Sequence, residues 1–142
     1  MMYEKILLPT DGSEASENAA KHAIVIASKY NSMIFVLTVL EPQPTSGITM
    51  DILKREGQTY LDNISKIFKN IEKEEGFETD IKRCFLMKEG TAADEILKTA
   101  KKEEIGLIVI GGSGKHALER FILGSVAEKI VREAKCPVLT VH

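Results

Sequence analysis

Two short stretches carry residue types that can bind an anion without a charged side chain. One is Pro9-Thr10-Asp11-Gly12-Ser13, which follows an apolar run near the start of the chain. The other is VIGGSGKHALERFILGSVAEKIV, from Val109 to Val131, with four glycines and two serines among apolar neighbours. Glycine loses more backbone freedom on folding than any other residue, so such a cluster asks for a reason. Backbone N–H groups in a glycine turn or at a helix amino terminus attract anions, and the missing Cβ lets a phosphate reach those donors. Ser125 adds a hydroxyl. Each piece also has a plainer reading: Gly111 to Gly114 as a tight turn, Ser125 as a helix N-cap.

Known phosphate motifs discriminate. The form G-x-x-x-x-G-K-[ST] fails, because Val109 stands at its first glycine and His116 at its hydroxyl position. Gly112-x-Gly114-x-x-Ala117 matches a dinucleotide fingerprint only loosely, since it follows the fourth apolar run and no acid marks a second strand end. A phospho-receiver site needs an acidic cluster at the first strand end, where only Asp11 stands. Lys115, His116 and Arg120 read as a solvated loop, because none has a spaced acid or nucleophile partner. His22 and His142 do not read as ligands, and no metal-ligand cluster is visible.

The elements that must position these turns are legible from periodicity. Apolar, β-branched runs occur at Ile6–Leu8, Met33–Leu40, Ile81–Leu86, Leu107–Ile110 and Val138–Val141, and suit strands of a parallel sheet buried on both faces. Between them lie helical stripes: Ala15, Ala19, Ala23 and Ile26; Tyr60, Leu61, Ile64, Ile67, Phe68 and Ile71; Ile96, Leu97 and Ala100; Val126, Ile130, Val131 and Ala134. Thr91 with Asp94, and Ser125 with Glu128, fit capping boxes. Ser13 is followed by Glu14 and Glu17, acids suited to a helix amino terminus. The order β-α-β-α-β-α-β-α-β predicts one doubly wound α/β domain over residues 1–142 with right-handed crossovers. The third strand is the most polar and suits an edge. The long connection Glu41 to Asp51 is either a lid or a slack crossover. In such a sheet ligands sit outside the carboxyl ends of the strands where strand order reverses, so the two glycine turns should meet there. Four glycines and a cap facing one crevice weigh toward an anion.

Composition narrows the partners. The chain has 142 residues and a net charge of −2, with Lys and Arg interleaved with Glu and Asp, so there is no basic field for nucleic acid or an anionic membrane. The two cysteines, Cys84 and Cys136, form no C-x-x-C and read as reduced thiols. The start shows no secretory leader and no run reaches membrane-span length, so a cytoplasmic protein is expected.

The spacing Gly111-x2-Gly114-x9-Gly124-Ser125, the opening ILLPTDGSEASENAAKHA and the closing GLIVIGGSGKHALERFILGSVAEKIVREAKCPVLTV together resemble the universal stress protein family over nearly the whole chain. The resemblance implies a five-stranded parallel sheet of order 3-2-1-4-5 with helices on both faces. It implies ATP, with ADP or AMP as alternatives and Mg or Mn riding on the phosphates, at the carboxyl ends of strands one and four. By position, Pro9, Thr10 and Asp11 would line the adenosine side and Val39 would offer backbone to the adenine. Ile110, Gly111 and Gly114 would wrap the phosphates from one side, and Gly124, Ser125 and Val126 would close them from the helix end. Many relatives carry a second hydroxyl where this chain has Ala127, and Gly112-Ser113 replaces a Ser followed by a longer polar residue. Both departures remove phosphate contacts. The resemblance also implies a homodimer paired through Val138–Val141, an edge with no internal Lys or Pro to block pairing; a bare edge on a monomer is the alternative.

Three functions follow. The first is an ATP-binding regulatory protein of the stress response, signalling to a protein partner through its dimer or lid state. The second is a nucleotide-free interaction module of the same fold. The third is an enzyme of a related fold. The last is disfavoured because neither H-x-G-H nor S-G-G-x-D-S is present. Hydrolysis, if any, is expected to be slow, since no positioned base or charge-stabilising finger is visible.

Overall fold

The computed structural model describes residues 2–77, 79–113 and 123–142. Its elements alternate: β1 (Lys5–Pro9), α1 (Glu14–Tyr30), β2 (Met33–Leu40), α2 (Met50–Glu75), β3 (Lys82–Glu89), α3 (Ala92–Lys102), β4 (Leu107–Gly111), α4 (Ser125–Glu133) and β5 (Val138–Val141). The strands form one five-stranded sheet of order β3-β2-β1-β4-β5, with every pairing parallel. β1 pairs with β2 from Lys5↔Met33 to Pro9↔Leu37 and with β4 at Ile6↔Leu107 and Leu7↔Ile108. The chain therefore winds outward from β1 in one direction and then in the other. The reversal falls between β1 and β4.

The period of two along the strands divides the core. Ile6, Leu8, Ile34, Val36 and Val109 face α1 and α2, packing with Ala19, Ala23, Leu61, Ile64 and Phe68. Leu7, Phe35, Leu37, Ile108 and Ile110 face α3 and α4, packing with Ala93, Ile96 and Ile130. Each fully buried large side chain contributes about 1.5–3 kcal/mol by leaving water. α1 meets the sheet through Ala19, Ala20, Ala23 and Ala27, all fully buried, and these small side chains let the helix lie close. Gly57 does the same for α2: a Cβ there would stand 2.9 Å from Leu40 Cδ2 and 3.3 Å from Thr38 Cγ2.

β3 is an edge, as its polarity predicts, and runs to Glu89, which pairs with Leu40. Arg83 and Glu72 clamp this edge with paired bonds of 2.8 and 2.9 Å, and Glu72 also accepts from Ile81 N–H at 2.7 Å. Two expected capping boxes are not formed. Thr91 is the N-cap of α3 but makes no side-chain cap bond; the Glu41 carboxylate takes the Ala92 N–H instead. At α4 the N-cap is Gly124, and Ser125 is already the first helical residue. Val131, expected on the buried face of α4, is 48% exposed. No helix among the described residues is long and apolar enough to cross a membrane.

Candidate functional site

A crevice of about 360 Å³ opens at the carboxyl ends of β1 and β4. Pro9, Thr10 and Asp11 line it from β1, Val39 from β2, Ile110 and Gly111 from β4, and Gly124, Ser125 and Val126 from the start of α4. The structure thus brings these sequence-selected positions into one cavity. Gly114, also selected, lies outside the described residues, as do Lys115, His116 and Arg120. Ser13 and Ser16 of the first turn of α1, Leu37 of β2, Ala92 and Ile96 of α3, Gly112, Ser113 and Ala127 complete the lining. None of these was selected as a binding position, although Ser13, Gly112 and Ser113 belong to the two turns expected to meet here and Ala127 to the helix start. For Ser16, Ala92 and Ile96 the only local signal is i, i+3 or i, i+4 spacing in the first turns of α1 and α3, which turns one helical face to the strand ends.

The β1 wall is an ordered polar network. Thr10 N–H continues the sheet to Leu37 O at 2.8 Å, and Thr38 Oγ1 donates to Thr10 O at 3.0 Å. Ser16 Oγ donates its single proton to Ser13 O at 2.8 Å, so across the 3.1 Å pair with Thr10 Oγ1 the threonine is the donor. Thr10 Oγ1 in turn accepts from Gly12 N–H at 3.3 Å. Ser13 caps α1 by accepting from Ser16 N–H at 3.1 Å. Asp11 Oδ1 accepts from Ser13 N–H at 2.9 Å. The other carboxylate oxygen has no partner among the described residues, and Asp11 itself is exposed.

The opposite wall is the amino terminus of α4. Three helices have acceptors there: Ser13 for α1, Thr49 Oγ1 for α2 and the Glu41 carboxylate for α3. Gly124 gives α4 no side-chain cap, and its own N–H is used on Gly112 O at 2.8 Å. Among the described residues no side chain caps the first turn of α4, which lines the crevice with the positive end of the helix dipole behind it.

The glycines differ in role. A Cβ at Gly111 would stand 2.7 Å from Ser16 N and 2.8 Å from Ala15 C, so this glycine is required by the close approach of α1 to β4. Gly112 links its neighbours: its N–H donates to Val141 O at 2.7 Å and its carbonyl holds Gly124. Between the two walls the floor is apolar, built from Leu37, Val39, Ile96, Ile110 and Val126. Asp11 is the only ionisable group among the described lining residues. No group of three or more His, Cys, Asp and Glu suited to a metal occurs among the described residues. The arrangement suits a ligand with a flat apolar part, hydroxyls and an anionic end.

The sequence profile of the universal stress protein family matches residues 2–142. A universal stress protein of Methanocaldococcus jannaschii is 39% identical over 148 residues, spanning 99% of this chain and 82% of that relative. A universal stress protein solved in complex with cAMP superposes with a TM-score of 0.67 at 29% identity, over 100% of this chain and 99% of its own. The universal stress protein of Archaeoglobus fulgidus, solved in complex with dAMP, gives 0.69 at 25% identity over 100% of both chains.

Proposed function

The chain belongs to the universal stress protein family, and from that premise we propose that it binds an adenine nucleotide in the crevice between β1 and β4 and acts as a dimeric cytoplasmic regulator. The observation that carries the reading is the amino terminus of α4, without a side-chain cap among the described residues, set across an apolar floor from the Asp11 turn. The phosphates lie at the Ser125, Val126 and Ala127 amides. The base lies over Val39 and Ile110, and the second carboxylate oxygen of Asp11 accepts from the nucleoside. Relatives with cAMP and dAMP bound support the adenine nucleoside and a single phosphate group. ATP is the ligand the family resemblance implies, and Mg or Mn would ride on its outer phosphates.

The site is one that binds and hydrolyses at most slowly: Asp11, bonded to Ser13 N–H through Oδ1, is the one ionisable lining group among the described residues. The dimer forms through β5, which pairs only with β4 and leaves Leu139 36% exposed.

Freshly purified protein is denatured and its supernatant resolved by nucleotide chromatography, with light scattering on the intact sample. An adenine nucleotide close to one per chain, on a dimer that Leu139→Lys converts to monomer, is the expected result. An empty chromatogram with no thermal shift on adding ATP, AMP or cAMP with Mg²⁺ overturns the nucleotide reading and leaves an interaction module.

A further inference from the structure

Asp11 is bracketed on both sides by contacts from the β2–α2 half of the molecule. Before it, Thr38 Oγ1 holds Thr10 O at 3.0 Å. After it, Gly12 adopts φ +80°, a left-handed conformation that favours glycine. The space a Cβ would take at Gly12 is filled by the ring of Tyr60, 2.5 Å from Cδ1 and 2.8 Å from Cζ. The ring thus lies directly against the Gly12 backbone. Tyr60 stands on α2 three residues after Gly57, the glycine whose missing Cβ lets that helix settle onto Thr38 and Leu40. One helix therefore presses on Thr38 and Gly12 together, and Asp11, exposed, sits between the two fixed points.

We propose that Tyr60 is a positioning residue for the nucleotide site: its ring holds the Asp11-Gly12-Ser13 turn in the shape that presents the second Asp11 oxygen to the ligand. The proposal rests on the reading of the crevice as a nucleotide site. A turn that must be ordered by the ligand binds with an affinity reduced by the fraction of time it is already in shape. Removing the ring leaves Gly12, the most permissive residue type, without the surface that restrains it.

The test titrates AMP and ATP into the intact protein by calorimetry, alongside Tyr60→Ala, Tyr60→Phe and Ile64→Val. Ile64 is a buried position four residues further along α2 and controls for packing loss. Tyr60→Ala should weaken binding about tenfold, as when the competent shape is populated about a tenth of the time. Tyr60→Phe should recover most of that loss, and Ile64→Val should lower stability without weakening binding. Tyrosine emission gives a second readout. The chain has three tyrosines and no tryptophan, and Tyr3 and Tyr30 pair with each other at 5.4 Å at the opposite end of the sheet. Nucleotide should change the emission of the unsubstituted protein, and Tyr60→Phe should bind without that change. If Tyr60→Ala does not fold, Tyr60→Leu carries the same comparison, since it lacks the flat ring. Binding that Tyr60→Ala leaves intact, or an emission response that survives in Tyr60→Phe, overturns the positioning role alone. No binding by the unsubstituted protein overturns the nucleotide site and this role with it.

Discussion

Replacing Gly124 with Asp should separate helix stability from ligand binding, because the two respond in opposite directions. Gly124 has φ −64° and ψ 161°, an N-cap conformation open to any residue. An Asp there accepts from the Val126 or Ala127 N–H and places a negative charge at the positive end of α4. The cap adds a few tenths of a kcal/mol over glycine and the dipole interaction about 0.3–1 kcal/mol. The ligand-free protein should therefore be about 0.5–1.5 kcal/mol more stable and melt about 2–5 °C higher. A phosphate must then displace that carboxylate. It loses a charge-assisted bond of about 1.5–3 kcal/mol. It also meets a like charge about 5 Å away, a repulsion of about 1.7 kcal/mol per unit charge at an effective dielectric near 40. The sum, about 3–5 kcal/mol, corresponds to a loss of roughly two-hundred- to several-thousandfold in affinity. Calorimetric titration with ATP and AMP, paired with a melting curve, reads both effects. Gly124→Asn supplies the cap without the charge and should lose about tenfold less. A Gly124→Asp protein that melts higher and still binds as tightly as the parent would refute the placement of phosphate at α4. Equal losses for Asn and Asp would refute the electrostatic share.

Four further outcomes follow from packing and charge. Gly111→Ala should destabilise by about 1–3 kcal/mol in urea unfolding, because the obstructing atoms at 2.7 and 2.8 Å belong to the backbone of α1. Glu72→Ala should cost about 2–4 kcal/mol and leave nucleotide affinity unchanged. It strips the partner from Arg83, whose guanidinium lies 4.5 Å over Phe68, and from Ile81 N–H. The Lys129 ammonium, bonded to Asp94 at 2.9 Å, holds that carboxyl below its ordinary 3.8, and Asp94 holds Lys129 above its ordinary 10.5. The α3–α4 clamp is therefore intact between those values and is lost only as the pH falls through the lowered Asp94 range or rises through the raised Lys129 range; an NMR titration of Asp94 should shift upward in Lys129→Met. Burial pushes the Cys136 thiol above 9.0, so iodoacetamide at pH 8 should modify it more slowly than free cysteine.

Strands were the most legible part of the sequence, and their ends the least. β2 and β5 match their apolar runs to the residue, because turn or polar residues bound both. β3 continues three residues past Leu86, held by backbone pairing with β2 through Leu40↔Glu89, which side-chain polarity does not report. The caps failed for a related reason. A capping box is a local pattern, but α3 takes its acceptor from Glu41, far away in sequence at the end of β2. Ser125 lost the cap position by one residue, since the chain turns helical immediately after Gly124. Within the site, positions at strand ends were readable because spacing fixes them. Ser16, Ala92 and Ile96 were not, because serine, alanine and isoleucine in a helical first turn look the same whether they face a core or a cavity.

The glycines themselves show why spacing alone is an incomplete guide to binding. Gly111 is demanded by α1, Gly12 by the ring of Tyr60 and by its own φ of +80°, and Gly57 by the contact of α2 with β2. All three would be needed in a protein of this fold that bound nothing. Gly124 is different, because its backbone tolerates any side chain and its neighbourhood gains stability from a capping one. A glycine kept where Asp, Ser or Asn would stabilise the helix is a position where stability yields to an open set of amides. On the proposed reading, anion recognition concentrates at the start of α4, and among the described residues the turn after β4 is tied to it through Gly124 N–H to Gly112 O. A chain that keeps Gly12, Gly57 and Gly111 but carries an acid at the position of Gly124 should fold alike and leave its crevice empty.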